Sequence, residues 1–186
     1  MGSWVFGYAG LAVVYGTALS LVILGALRGI GRFPGWGALP LFALTCTFAF
    51  LTMHPFPDPA TLVCPVPSAT PQLSPGRFLE AVGHLQSAET GLLGWVMNRT
   101  LAATAMNFVI CVAIGLAFGQ QVPSLAKAAL FGCALTLVLE LTQLSGLWGL
   151  YPCAYRQFNV DDLIMNALGV FVGAGLILAY RRIADR

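Results

Sequence analysis

Long apolar runs broken by short polar or glycine–proline punctuation dominate the chain, and five are long enough to cross a bilayer. They are Trp4–Leu27, Trp36–Met53, Arg99–Gly119, Val122–Leu144 and Val160–Tyr180. Each holds about 18–24 residues, which at about 1.5 Å per residue covers a hydrocarbon core of about 30 Å. Arg28 and the turn from Gly29 to Gly35 end the first run. The second stops where prolines begin, because proline removes a backbone donor and clashes inside a helix. Pro55, Pro57, Pro59, Pro65, Pro67, Pro71 and Pro75 keep any helix from forming across the start of the segment His54–Asn98. Later in that segment, Leu92, Leu93, Trp95, Val96 and Met97 predict a short helix lying at the membrane surface.

Two of the runs carry groups that a lipid-facing helix should not tolerate. Gly132, Thr136, Glu140 and Gln143 fall at i, i+4, i+8 and i+11, one stripe of a helix. Asp162, Asn166, Gly169 and Gly173 fall at i, i+4, i+7 and i+11, again one stripe. Each stripe pairs small residues, which let helices approach, with hydrogen-bonding groups that need partners in an apolar setting. Arg156 lies between them as a counter-charge. The two helices of this hairpin are expected to face one another or a shared cavity.

Composition sharpens the class. Only 9% of residues are charged while 58% are hydrophobic, far from a water-soluble domain. The chain is expected to be all-α, one polytopic membrane domain over residues 1–186 with about five transmembrane helices. The net charge of +2, with no basic cluster, argues against a nucleic-acid partner. The first run is not a convincing secretory signal: no Lys or Arg precedes Trp4 and the apolar stretch is too long. Orientation follows from Lys and Arg alone. Arg28, Arg32, Lys127, Arg181, Arg182 and Arg186 share one side, and Arg77, Arg99 and Arg156 the other. Six against three predicts an extracytoplasmic amino terminus, a cytoplasmic carboxyl terminus and an extracytoplasmic proline-rich loop over residues 54–98.

Glu140 sits about four residues inside its helix end, roughly 6 Å deep, where an ionised carboxylate needs a partner, a network or a proton. One reading is an outward-facing polar pocket of Glu140, Gln143, Arg156, Asp162, Asn166 and Asn107 that holds a ligand head group. The other is an ion-paired clamp between the last two helices. Asn107, about 12 Å inside its own helix, is expected to hydrogen-bond across to a neighbouring helix, and Asp161 to cap or solvate the start of the last one. Asn159 is the expected N-cap there. Two neighbouring carboxylates plus Glu140 would suit a divalent cation, but no spaced His or Cys set supports one, so neither metal nor cofactor is assigned. His54 and His84 lack a decisive partner for general-base work. Cys46, Cys111 and Cys133 lie within runs as small apolar residues. Cys64 and Cys153, placed together on the oxidising side, are expected to form a disulfide tying the long loop over the pocket.

Glu140-x-x-Gln143, Arg156 and Asp162-x-x-x-Asn166-x-x-Gly169-x-x-x-Gly173 together resemble the VanZ-like membrane proteins. The preceding helix, with Asn107 and Gly115, looks like that family's asparagine–glycine helix, although Ala113 replaces its usual proline. Asn159 stands where an aspartate is often seen, and the link from Gln143 to Arg156 is longer than the family's. The resemblance covers about residues 99–180. It implies a protein of the bacterial cell membrane associated with low-level resistance to glycopeptides such as teicoplanin. Membrane lipids, a lipid-linked cell-wall precursor or a lipoglycopeptide are the expected partners. The competing classes are a membrane-embedded enzyme using Glu140 or Asp162 as general acid–base, and a structural scaffold.

Overall fold

Prolines and polar caps decide where each apolar run becomes a helix. The computed structural model describes residues 2–185 apart from Pro55, 65–69, 89–90 and Tyr155, without the side chains of residues 2–6, Leu92, Leu93 and Val96. Pro55, Pro65 and Pro67 of the proline-rich run, and Arg186 of the charge balance, therefore lie outside the described residues. The helices are α1 (Gly2–Gly29), α2 (Leu39–Met53), α3 (Phe78–Ser87), α4 (Leu92–Met97), α5 (Arg99–Gln121), α6 (Leu125–Leu144), the single turn α7 (Gly146–Gly149) and α8 (Val160–Ala184). Stretches of five helices are long and apolar enough to span a membrane: Gly7–Gly29, Trp36–Met53, Arg99–Gln121, Leu125–Leu144 and Val160–Ala184. Among the described residues there is no strand, only one parallel bridge between Gln72 and Asn159.

The fourth span starts later than the apolar pattern predicts. Val122 precedes Pro123 and is held extended at φ −130, and the Ser124 hydroxyl then caps α6 by accepting from the Lys127 amide. Helix α3 was not expected at all, since Gly83 and its mixed composition hide it in sequence; α4 forms where a short surface helix was predicted. In α7, Leu147 and Trp148 adopt left-handed backbone at φ 54 and 58, flanked by Gly146 and Gly149.

Helix α8 lies between α5 and α6. Its glycines meet α5, while α6 packs on its other flank: a methyl at Gly169 would fall 2.7 Å from the Phe108 carbonyl, and one at Gly173 would strike the Val112 carbonyl. Gly115 of α5 returns the arrangement against Val170. On α8's other flank, Gly132 of α6 admits Val170 and Ala167. Lipid tails give apolar side chains no reason to leave them, so close backbone approach of this kind is what holds such helices together. Phe48, Cys111, Ile114, Leu139 and Val170 fill the centre where α2, α5, α6 and α8 meet. Helix α1 packs on α2 from outside, Gly16 against Thr47.

One end of the bundle gathers the long loop and the link 145–159. Cys64 and Cys153, 89 residues apart, are joined by a disulfide with Cα atoms 5.9 Å apart. The Gln72 amide donates to the Phe158 carbonyl, and the Val160 amide to the Gln72 carbonyl. Tyr151 and Gln157 add bonds to the carbonyls of Pro57 and Thr70. The loop is thus strapped across this end at several points.

Candidate functional site

A cavity of about 240 Å³ opens at the loop end among α2, α5, α6, α8 and the link. Asn107, Glu140, Gln143, Arg156, Asp162 and Asn166 all line it, drawn from segments up to about sixty residues apart. Helical period explains the convergence. Each polar side chain occupies the stripe of its helix that also carries the small residues, so docking the helices buries them together.

The hydrogen bonds assign each residue a position. Glu140 is only 3% exposed, and its Oε2 accepts from the Asn159 amide at 2.8 Å, joining the end of α6 to the start of α8. Asn159 also caps α8, its Oδ1 accepting from the Asp161 amide. Arg156 does not close an ion pair on Glu140 or Asp162. Its Nη1 donates instead to the carbonyls of Thr52 and His54, both at 2.6 Å, and Gln143 Nε2 donates to the same Thr52 carbonyl at 2.9 Å. A cation at the carboxyl end of α2 satisfies free carbonyls and complements the helix dipole. The expected clamp between α6 and α8 is therefore a carboxylate–amide contact, and the arginine fastens the link to α2.

Deeper in, Asn166 Nδ2 donates to Thr136 Oγ1 at 3.2 Å, and that hydroxyl donates to the Asp162 carbonyl at 3.5 Å. Asn166 is 4% exposed, and its Oδ1 has no protein partner among the described residues. Asn107 lines the same space without a hydrogen bond to α6 or α8 among the described residues, contrary to expectation. Its helix leans on α8 through glycines, which leaves the amide facing the cavity.

Asp161 departs furthest from its expected part. It is 3% exposed and caps not its own helix but the approach to α3, accepting from the amides of Gly76 (2.5 Å) and Phe78 (3.2 Å). That turns it away from Glu140. Among the described residues no three His, Cys, Asp or Glu side chains group as metal ligands would. A second cavity of about 310 Å³, bordered by Gln72, Arg77 and Asp161, adjoins the first and shares Thr100, Thr104, Gln157 and Asn159 with it. Thr100 and Thr104 escaped the sequence reading, although with Asn107 they fall at i, i+4 and i+7 on one face of α5.

Neither histidine is placed for catalysis in the cavity. His84 is exposed on α3. His54, one residue past α2, stacks on Tyr8 with ring centroids 3.3 Å apart, and its pKa is lowered from 6.5 by burial and then by the Arg156 charge.

A family model described as VanZ/LLP1 matches residues 41–181, most of the chain and nearly the whole of the four helices around the cavity. No curated protein and no solved structure matches.

Proposed function

Because the chain belongs to the VanZ/LLP1 family, we propose that it is a cell-envelope membrane protein whose loop-end cavity holds the head group of an amphiphile. The tail lies along the helices, and the occupant is a lipid-linked cell-wall precursor or a lipoglycopeptide. Through it the protein lowers susceptibility to teicoplanin-type glycopeptides in a bacterial host. The supporting observation is the single cavity lined by Asn107, Glu140, Gln143, Arg156, Asp162 and Asn166, with Met106 at its rim 52% exposed on the apolar flank of α5. Polar groups inside a spanning bundle are costly to keep and are functional candidates for that reason.

The cavity faces the outside of the cell, with the amino terminus outside and the carboxyl terminus in the cytoplasm. Supporting this, Arg28, Arg32, Lys127, Arg181 and Arg182 collect at the opposite end, and the Cys64–Cys153 disulfide suits an oxidising compartment.

Binding and catalysis separate on Glu140. In a susceptible host expressing the protein, Glu140→Gln keeps shape and hydrogen-bonding capacity, whereas Glu140→Ala removes both. Binding through hydrogen bonds alone predicts that the phenotype largely survives in the amide variant and is lost in the alanine variant. Loss in both, at equal expression, means that the Glu140 charge itself is used, by an enzyme with Glu140 as general acid–base or by binding of a cationic head group, and turnover of the lipid by the purified protein separates the two. Full retention in both refutes a role for the cavity.

A further inference from the structure

The deepest part of the cavity holds a buried acceptor without a protein donor among the described residues. Asn166 Nδ2 donates to Thr136 Oγ1, whose own contact with the Asp162 carbonyl is long at 3.5 Å. Asn166 Oδ1 is the other amide atom of a side chain that lines the cavity, and it is buried and without a partner among the described residues. A buried orphan acceptor is costly, and such groups in folded proteins ordinarily find a donor.

Charge points the same way. Two carboxylates, Glu140 and Asp162, line the space with one guanidinium, whose Nη1 is committed to the carbonyls of Thr52 and His54. With both carboxyls ionised the space carries one negative charge more than positive, an imbalance that either a proton on one of them or a cationic occupant removes. A divalent cation fits poorly, since hard cations collect six or more oxygens and no three acidic or histidine side chains group among the described residues. A primary ammonium brings one positive charge and three N–H donors.

Access favours an occupant anchored in lipid. Thr100, Ala103 and Met106 recur three apart on α5, all border the cavity, and all are exposed on the outer surface of the bundle. Leu51 of α2 borders the same cavity across from them.

We infer that the site takes a primary ammonium group, held by Glu140, Asp162 and Asn166 Oδ1 and carried on an amphiphile that enters laterally past Met106. This rests on the amphiphile-binding reading and names the head group that reading leaves open. The ammonium belongs to a membrane lipid or to a soluble amine, and the two sources are separable.

The test uses the full-length protein in detergent with phosphatidylethanolamine and phosphatidylcholine of identical acyl chains, binding being read by native mass spectrometry. The two lipids differ in three N-methyl groups that remove every N–H donor. Hydrogen bonds to charged groups imply a preference for phosphatidylethanolamine of at least about tenfold. Glu140→Gln and Asn166→Ala should each bring the ratio close to one by weakening phosphatidylethanolamine selectively. Asn166→Asp keeps an acceptor at the same place, so it should preserve the preference even where the alanine variant folds poorly. Competition by soluble phosphoethanolamine at matched concentration would assign the ammonium to a free amine, and its failure would assign it to lipid. Equal binding of both lipids to the unaltered protein, or a preference that survives both Glu140→Gln and Asn166→Ala, overturns the ammonium assignment. Met106→Trp separates the two readings by filling the rim. If it weakens both lipids alike while no head-group preference exists, amphiphile binding stands and the ammonium falls; if neither it nor Glu140→Gln changes any binding, both fall.

Discussion

Gly169→Ala tests the packing that positions the cavity. A methyl built at Gly169 falls 2.7 Å from the Phe108 carbonyl oxygen and 2.8 Å from Cys111 Cβ, against an ordinary contact of 3.4 Å or more. Relieving the closest approach from 2.7 to 3.4 Å requires α5 and α8 to separate by about 0.7 Å along that line. Neither neighbour is a flexible side-chain end, so the separation must come from moving helices. Overpacking of this kind costs about 1–3 kcal/mol. At Gly132 the closest atom is Val170 Cβ at 3.0 Å, a shortfall of about 0.4 Å, and the cost belongs near the lower end of that range, about 1 kcal/mol. Gly25 of α1 meets nothing within 4 Å, so Gly25→Ala should be neutral or stabilise by up to about 1 kcal/mol through helix propensity. The expected order of stability is Gly25→Ala, unaltered protein, Gly132→Ala, Gly169→Ala. Equilibrium unfolding in mixed micelles of increasing SDS content, followed by tryptophan fluorescence, measures it. Moving α8 also displaces Asp162 and Asn166, so Gly169→Ala should weaken lipid retention although it touches no cavity-lining polar group. A Gly169→Ala protein as stable as Gly25→Ala would refute the close helix contact and with it the derived cavity geometry.

Asp161→Ala removes the side chain that accepts from the Gly76 and Phe78 amides, an interaction of the capping kind worth about 1 kcal/mol; limited proteolysis should then cut faster within residues 70–91 while the spanning helices stay resistant. For His54, the unfolded chain takes up a proton near pH 6.5 that the folded site resists through burial and the Arg156 charge. Stability should therefore fall as pH drops from 6.5 toward the lower folded-state value. His54→Phe, which keeps a ring against Tyr8, should flatten that slope, and an unchanged slope would exclude His54 as its source.

Much of the candidate site was legible because helical periodicity is a local property. Thr136, Glu140 and Gln143 share a face whatever α6 packs against, and so do Asp162 and Asn166 on α8. Other residues depend on neighbours that no local window contains. Arg156 read as a partner for Glu140 because charge was the only criterion, yet the carbonyls at the end of α2, about a hundred residues earlier, hold it. Asp161 read as a cap of its own helix, and Gly76 and Phe78 use it instead. The family motif drew attention to residues 99–180, whereas the match reaches back to 41 and takes in α2, which supplies the Thr52 carbonyl and the Phe48 core contact.

Alone, the amino-acid order determined that this chain crosses a membrane about five times and that its acidic and amide groups fall on the faces that carry small residues. Burial cost and helix period decide those matters, and both act over a few turns. Tertiary structure decided which helices touch: α8 against α5 through glycine, α6 against the other flank, and the loop strapped across the end by Cys64–Cys153, Gln72 and Asp161. Lipid supplies no hydrophobic gradient to order helices of similar composition, so their neighbours are selected by backbone fit and by where each polar group finds its partner.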